Sequence, residues 1–221
     1  MNEHAKPQSP PTGSRRFLSP HERSVVVDTK STVELRDLAS YARDLELAAE
    51  YLRHYLAGDI EEDANYASPL DAMAMMAIVM YARTFSKGVR SAAGPDLSQL
   101  SPDETELHQY ILDVRNKYLS HSVNGFEHVE VVAFLTTSTP TKRAITGIGN
   151  VHTSLSRMDR KSAEATLALC DRHSAALQRR MQALHVRITK ELLALGVTAV
   201  YELPDHTDPR IDQSAARRRR K

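Results

Sequence analysis

The sequence has few of the residues that stabilise secreted or membrane proteins. Its 221 residues include a single cysteine, Cys170, and no tryptophan, and aromatic residues make up 5% of the chain. One cysteine excludes an intramolecular disulfide. The longest apolar run, Ala72 to Ala82, is about half of the roughly twenty residues needed to cross a bilayer, and the N-terminus lacks the apolar stretch of a secretory signal. We therefore expect a cytoplasmic protein that does not bind membranes.

The sequence also lacks the short motifs of the common catalytic sites. It contains no glycine-rich phosphate loop, no CxxC pair, no HExxH and no GxSxG. No two of its ten histidines stand four residues apart, as a metal pair on one helix requires. Cys170 falls on the apolar seam of a predicted helix, so we expect a core residue there and not a nucleophile. We expect neither a metal site nor a cofactor.

What the sequence does contain is enough apolar residues for a core, 41% of the chain, between two polar ends. Residues 1–30, which hold four of the ten prolines, and residues 204–221, which end in RRRRK, are predicted to be disordered tails. The net charge of +1 combines basic ends with a mildly acidic middle. The basic C-terminal run is interpreted as a solvated end, with loose binding of an anionic polymer as the alternative.

Apolar residues recur at steps of three and four over most of residues 31–203, which we predict to form one helical domain. A capping box at Ser31 and Glu34 starts a first helix, about 32–57, and Gly58 ends it. The flank of this helix carries acidic residues, among them Asp37 and Asp44. Capping signals at Ser68-Pro69 and at Ser101, Pro102 and Glu104 start a second helix, to about Lys87, and a third, about 102–121.

The second helix is apolar on every side, so we expect it at the centre of the domain, with its four methionines as core filling. A fourth helix is predicted over about 159–195 and is capped by Gly196. It is basic where the first helix is acidic, which favours a side-by-side arrangement of the two.

The hydrophobic period changes to two between the third and fourth helices. Residues 128–138 and 142–151, joined by Thr139-Pro140-Thr141, predict a β-hairpin, and residues 197–203 predict a further short strand. The predicted fold class is mainly α: a four-helix up-and-down bundle with a β-hairpin inserted between helices 3 and 4.

One polar segment at the end of the third helix carries the candidate chemistry. Arg115 and Asn116 precede His121, which continues the apolar seam of that helix. A histidine titrates near neutral pH, and the planar guanidinium of an arginine stays charged and meets phosphate with two hydrogen bonds. The alternative is an arginine that forms an ion pair on the surface and a histidine that is satisfied in the core.

This segment resembles the signature of the HEPN (higher eukaryotes and prokaryotes nucleotide-binding) superfamily. These four-helix bundles carry an Arg, a polar residue and, a few residues later, a His near the end of the third helix. Arg115, Asn116 and His121 match the signature one by one, and the resemblance covers roughly residues 31–196. The hairpin after the motif departs from the family pattern.

The resemblance implies a metal-independent endoribonuclease of toxin or antiphage-defence type. Its partners would be RNA, a second copy of the chain in a homodimer, and a neutralising antitoxin protein. His121 would move the proton when a ribose 2′-hydroxyl attacks the adjacent phosphorus, Arg115 would hold the phosphate, and Asn116 would orient one of the two. The candidate substrate-binding residues are Lys117, Tyr118 and Arg83, with packing as the alternative for Tyr118.

The spacing of the motif bears on the oligomeric state. On an ideal α-helix Arg115 and His121 lie about 120° apart in azimuth and about 9 Å apart along the axis. Either a kink at the end of the helix closes this gap or two protomers share a cleft, and the resemblance favours the second. A different class of function stays open, in which the chain is a non-catalytic helical module for dimerisation or for binding a protein or RNA.

Overall fold

The computed structural model describes residues 23–60, 68–86, 90, 92–120, 127–136, 144–155 and 157–207. The protein is mainly helical, with about two-thirds of the described residues in helices, and it has a small two-stranded antiparallel sheet. Within these ranges the helices are α1 (Lys30–Ala57), α2 (Pro69–Phe85), α3 (Pro102–Asp113), α4 (Arg160–Leu195) and α5 (Val197–Tyr201), and the strands are β1 (Glu127–Leu135) and β2 (Ile145–Ser154). None of these helices combines the length and the apolar character needed to span a bilayer.

Local capping signals set the starts of α2 and α3. The Ser68 side chain accepts a hydrogen bond from the Asp71 amide, and the Asp71 carboxylate accepts one from the Ser68 amide. Ser101 and Glu104 form the same reciprocal pair at α3, and a proline follows each N-cap. Both starts confirm the sequence prediction, because a capping box satisfies amides that the first turn of a helix leaves free.

The capping box of α1 lies two residues before the predicted one. Thr29 is the N-cap, and its side chain and that of Thr32 exchange hydrogen bonds with the opposite amides. The predicted box at Ser31 and Glu34 is therefore wrong, because a hydroxyl pair can cap the helix as well as a hydroxyl and a carboxylate. Ser31 is buried in the first turn instead.

The chain divides into two compact units, Thr29–Thr189 and the combination of Met1–Asp28 with Lys190–Lys221. In the second of these, Val25 and Asp205 form an isolated antiparallel bridge. The Arg23 side chain contacts the Asp205 carboxylate at 2.5 Å. Parts of both predicted tails are therefore hydrogen-bonded, whereas residues 1–22 and 208–221, including the RRRRK run, lie outside the described residues.

Residues 197–203 do not form the predicted strand. Gly196 has a φ of +85° and follows α4 as expected, and its carbonyl then accepts a hydrogen bond from the Val200 amide at 3.2 Å in α5. The strand prediction is wrong because hydrogen bonds within the short helix satisfy this backbone without a neighbouring strand. Alternation of apolar residues over five positions cannot distinguish the two cases.

In the unit Thr29–Thr189, ion pairs between side chains link α1 to α4 in antiparallel order, in line with the opposite charges of the two helices. Glu34, near the start of α1, contacts Arg180 at 3.5 Å, and Arg53, near its end, contacts Asp171 at 2.6 Å. The core residues of the two helices include Leu38, Leu45 and Leu52 of α1 and Leu169 and Leu177 of α4, all of them buried.

The second helix packs through one face and is not surrounded. Ala74, Ala77, Ile78 and Tyr81 are buried, whereas Met76 is 36% exposed and the other three methionines of α2 are half-buried. The expectation that the methionines fill the core is wrong, whereas α2 does contact α1, α3 and, through Phe85, His173 of α4. A helix that is apolar all round gives no sign of which face will meet its neighbours.

Two acidic residues of α1 are buried, although the sequence places them on the acidic flank of its seam. Asp44 contacts Arg90 at 2.8 Å and Arg83 at 3.4 Å. Asp37 accepts a hydrogen bond from the Ala92 amide at 3.0 Å. Because a buried carboxylate must be paired, these contacts tie the segment after α2 to the middle of α1.

The β-hairpin confirms the predicted change of period. β1 and β2 pair antiparallel from Glu127–Ser154 to Leu135–Ile145, with a bulge near Phe134. The predicted turn at residues 139–141 lies outside the described residues. The second strand runs from Ile145 to Ser154, shifted toward α4 relative to the predicted 142–151.

Replacement of Asp44 by asparagine tests whether the buried ion pair holds this fold. The Asp44 side chain is 6% exposed and that of Arg90 is 16% exposed, so the change leaves a largely buried guanidinium without its counter-charge. We expect the free energy of unfolding to fall by about 3 kcal/mol in urea titrations.

The matched control is Glu46→Gln on the same helix. Glu46 pairs with Arg43 at the surface, where such pairs contribute less than about 1 kcal/mol. Equal losses in the two variants would show that burial of the Asp44 pair has no special weight.

Candidate functional site

The third helix changes character where the candidate motif begins. After Asp113 the chain continues as a π-helical turn, Val114–Leu119, anchored by the fully buried Ile111 and Val114. The Ser120 hydroxyl donates a hydrogen bond to the Arg115 carbonyl at 3.0 Å, again across five residues. The predicted single α-helix over 102–121 is therefore wrong in its last part. Single π-helical turns are rare and occur often at functional sites.

Arg115 and Asn116 form a pair on this turn. Arg115 Nη1 donates a hydrogen bond to Asn116 Oδ1 at 2.8 Å, and Arg115 is half-buried while Asn116 is exposed. Among the described residues no carboxylate forms an ion pair with Arg115. The guanidinium is thus held by a neutral neighbour and keeps its positive charge for an anion.

His121 lies outside the described residues, so its role in the site stays a prediction. The azimuth and axial distance expected between Arg115 and His121 assumed an ideal α-helix. That assumption is wrong over Val114–Leu119, because a π-helical turn has a wider hydrogen-bonded ring and changes the direction of the following residues. The homodimer prediction therefore loses its geometric argument and depends on the family resemblance.

The three predicted substrate-binding residues differ in their surroundings. Lys117 is exposed and its ammonium contacts Asp113 at 3.1 Å within the same helix. Tyr118 is half-buried on the π-helical turn. Arg83 contacts the buried Asp44 carboxylate of α1, and the described contacts do not join it to Arg115. The structure thus groups Lys117 and Tyr118 with Arg115, and it gives Arg83 a structural partner.

Ser120 is a residue of the site that sequence reasoning missed. Ser120 stands immediately before His121 in the sequence, and its hydroxyl donates a hydrogen bond to the Arg115 carbonyl. A serine five residues after the arginine is the only sequence signal of this contact, and it has meaning only once the turn is known to be π-helical. Ser120 is therefore a positioning residue for the segment that leads to His121.

A second group of titratable side chains is buried between α2, α3 and α4. The Tyr81 hydroxyl lies 3.0 Å from His108 Nδ1, and the Phe85 ring contacts the edges of His108 and His173 at centroid distances of 4.6 Å and 5.6 Å. His173 is 3% exposed, and its Nε2 has no hydrogen-bond partner in the described part of the chain. His108 and His173 are buried, whereas Asn116 on the π-helical turn is exposed.

Burial controls the titration of this group. It lowers the pKa of His173 to about 4, a decrease that Arg172 and His108 reinforce and Glu104 and Asp96 oppose. It also lowers the pKa of His108 and raises that of the neighbouring Tyr81. Burial raises the pKa of Cys170 to about 12, which agrees with the expected core role and leaves the thiol protonated at neutral pH. Within the described residues no three His, Cys, Asp or Glu side chains are arranged to hold a metal ion.

Comparison with known proteins does not indicate a function for these residues. No protein-family model matches the chain, and neither the curated proteins nor the solved structures gave a significant match.

The buried His173 predicts that the protein loses stability in mild acid. Between pH about 6.5 and about 4 the unfolded chain binds a proton at this position that the folded chain does not, so the free energy of unfolding falls as the pH falls. His173 alone accounts for a decrease of about 3 kcal/mol across this window. Urea titrations at several pH values between 4 and 7.5 measure it.

The variant His173→Gln cannot take up this proton and should show a flatter dependence on pH over the same window. His185→Gln, at an exposed position of α4, should keep the dependence of the unaltered protein. The assignment to His173 fails if His173→Gln retains the full dependence.

Proposed function

We propose that this protein is a metal-independent endoribonuclease of the toxin or antiphage-defence type. The observation that carries the proposal is the Arg115 guanidinium, which a neutral amide holds at 2.8 Å on a π-helical turn and which no described carboxylate neutralises. This speaks against the alternative of a surface arginine in an ion pair, because among the described residues the hydrogen-bond partner of Arg115 is the neutral Asn116. Arginines with a structural task in this fold have acidic partners, as Arg90 and Arg157 do.

The proposed reaction needs a positive charge and a group that moves protons. The ribose 2′-hydroxyl attacks the adjacent phosphorus, the bond from phosphorus to the 5′-oxygen breaks, and the products are a 2′,3′-cyclic phosphate and a 5′-hydroxyl. His121 takes the proton from the attacking hydroxyl and passes it to the leaving 5′-oxygen, so that the proton count balances. Arg115 stabilises the negative charge on the phosphate oxygens, and Asn116 holds Arg115 in place.

The wider proposal covers fold, partners and location. We propose that α1–α4 form an up-and-down bundle of the HEPN type, which the antiparallel ion pairs between α1 and α4 support. RNA, a second copy of the chain and a neutralising antitoxin are the proposed partners, in the cytoplasm. Lys117 and Tyr118 flank Arg115 and are the proposed contacts to the rest of the RNA.

A non-catalytic interaction module is the second candidate function. The observation in its favour is the hairpin, which exposes Val131, Ile145 and Ile148 at 70% or more of their surface. Exposed apolar side chains of this kind are typical of surfaces that bind other proteins, and binding through them would not involve Arg115.

Cleavage of labelled single-stranded RNA in EDTA tests the first candidate. We expect cleavage without added metal and 2′,3′-cyclic phosphate ends on the products. His121→Ala and Arg115→Ala should each lower the rate by at least about 100-fold, because each removes one of the two required groups. Arg115→Lys should keep part of the activity, since it retains the charge but not the planar fork.

The matched controls are Arg179→Ala and His185→Ala, two exposed positions on α4 that should leave the rate unchanged. Circular dichroism checks that every variant keeps its helices. Full activity in the Arg115 and His121 variants would remove the assignment of the site, and RNA that stays intact with every preparation would favour the interaction module.

A further inference from the structure

Two buried histidines from different helices contact the same phenyl ring, that of Phe85 at the end of α2. His108 of α3 and His173 of α4 lie at steep angles to this ring, with interplanar angles of 82° and 69°. The two histidines are 6% and 3% exposed, and both belong to the unit Thr29–Thr189. Phe85 therefore links α3 and α4 to α2 through two side chains that can bind protons.

The third helix is anchored by two buried side chains, one of which is titratable. Among the described residues of α3, these are His108 and Ile111, and the buried Val114 follows on the π-helical turn. At the start of the helix, Glu104 contacts Arg172 of α4 at 2.7 Å, but the two side chains are 34% and 44% exposed. Ion pairs with this exposure contribute little to stability. The attachment of α3 therefore depends on the protonation state of the histidine cluster.

The surroundings of His173 disfavour a proton on its ring. Burial has the largest effect and lowers the pKa of His173. Arg172 and His108 add to this decrease, and the carboxylates of Glu104 and Asp96 oppose it without overcoming it. Nε2 of His173 has no hydrogen-bond partner in the described part of the chain, so a proton bound there meets no acceptor.

Protonation of both histidines places two positive charges beside one phenyl ring. A protonated imidazole has two N–H donors and no acceptor, so the Tyr81 hydroxyl, 3.0 Å from His108 Nδ1, can then only accept. Tyr81 and Cys170, the other titratable groups of the cluster, do not balance the charge, because burial raises the pKa of both and keeps them neutral. Water solvates the two imidazolium ions once α3 moves away from the ring.

We propose that His108 and His173 form a proton-operated latch, which holds α3 against α2 and α4 while both rings are neutral and releases α3 when both bind protons. The long helix α4 stays in place during the release, because buried leucines at 169 and 177 hold it on both sides of His173. Release of α3 removes the support of the π-helical turn that carries Arg115. This last consequence rests on the proposed ribonuclease function, whereas the release itself does not.

Hydrogen–deuterium exchange of the full chain measures the release without RNA. When the pH falls, exchange corrected for the intrinsic effect of pH should rise in peptides from α3 and the π-helical turn, and rise far less in peptides from the middle of α1. Burial holds the pKa of His173 at about 4 in the closed form, so between pH about 7.5 and about 5 this residue alone should raise the opening constant of α3 about 30-fold. His108, whose pKa burial also lowers, should raise it further.

The ratio of α3 exchange at the two pH values is the quantity to compare among variants, because a substitution that loosens α3 equally at both leaves this ratio unchanged. His173→Leu should lose the part of the ratio that comes from His173, and the double variant with His108→Phe should show almost no rise. The matched control is His185→Leu, at an exposed position of α4, which should keep the full ratio. If the double variant does not fold, the ring signals of His108 and His173 in nuclear magnetic resonance spectra of the unaltered protein must titrate together with α3 exchange.

The latch is overturned if α3 exchange does not rise in acid, if α1 exchange rises equally, which indicates unfolding of the whole unit, or if the double variant keeps the full ratio. In the nuclear magnetic resonance experiment, ring signals that titrate apart from α3 exchange also overturn it. Release of α3 in acid by a protein that never cleaves RNA would remove the proposed function and leave the latch. Cleavage at neutral pH by a protein whose α3 is insensitive to acid would do the reverse.

Discussion

The carboxylate of Asp44 is the contact on which much of this fold depends. It is buried in α1 and joins Arg90 and Arg83, so it fixes the chain after α2 against the middle of α1. Asp37, one heptad earlier, adds a hydrogen bond from the Ala92 amide. A buried charge without a partner costs several kcal/mol, so alternative positions of this connection are strongly disfavoured. The connection leads into α3, and its position limits where the candidate site can lie.

The start and the end of α3 are held by different kinds of interaction. Near the start, Glu104 contacts Arg172 of α4 at 2.7 Å, and His108 packs between Tyr81 and Phe85. At the end, Arg115 lies on a π-helical turn and donates a hydrogen bond to the neutral side-chain amide of Asn116. A well-packed first half therefore supports an irregular second half. The packed first half thus positions a guanidinium that no described carboxylate neutralises, which is the geometry on which the proposed site depends.

The hairpin and the helices differ in how far their apolar side chains are buried. The helices bury apolar seams, while Val131, Leu135 and Ile148 of the hairpin are largely exposed. β1 begins at Glu127, six residues after His121 in the sequence.

The sequence alone determined the features that depend on neighbours within about four residues. These are the capping boxes at Ser68 and Ser101, the extent of α4 and the change to a hairpin, because helix and strand periods and caps are local. Tertiary structure decided which apolar face packs and which charges are buried. Asp44 belongs to the acidic flank in the sequence, and only the approach of Arg90 makes its burial possible. The π-helical turn at Arg115 likewise has no local signal, since an apolar seam at steps of three and four fits an unbroken α-helix equally well.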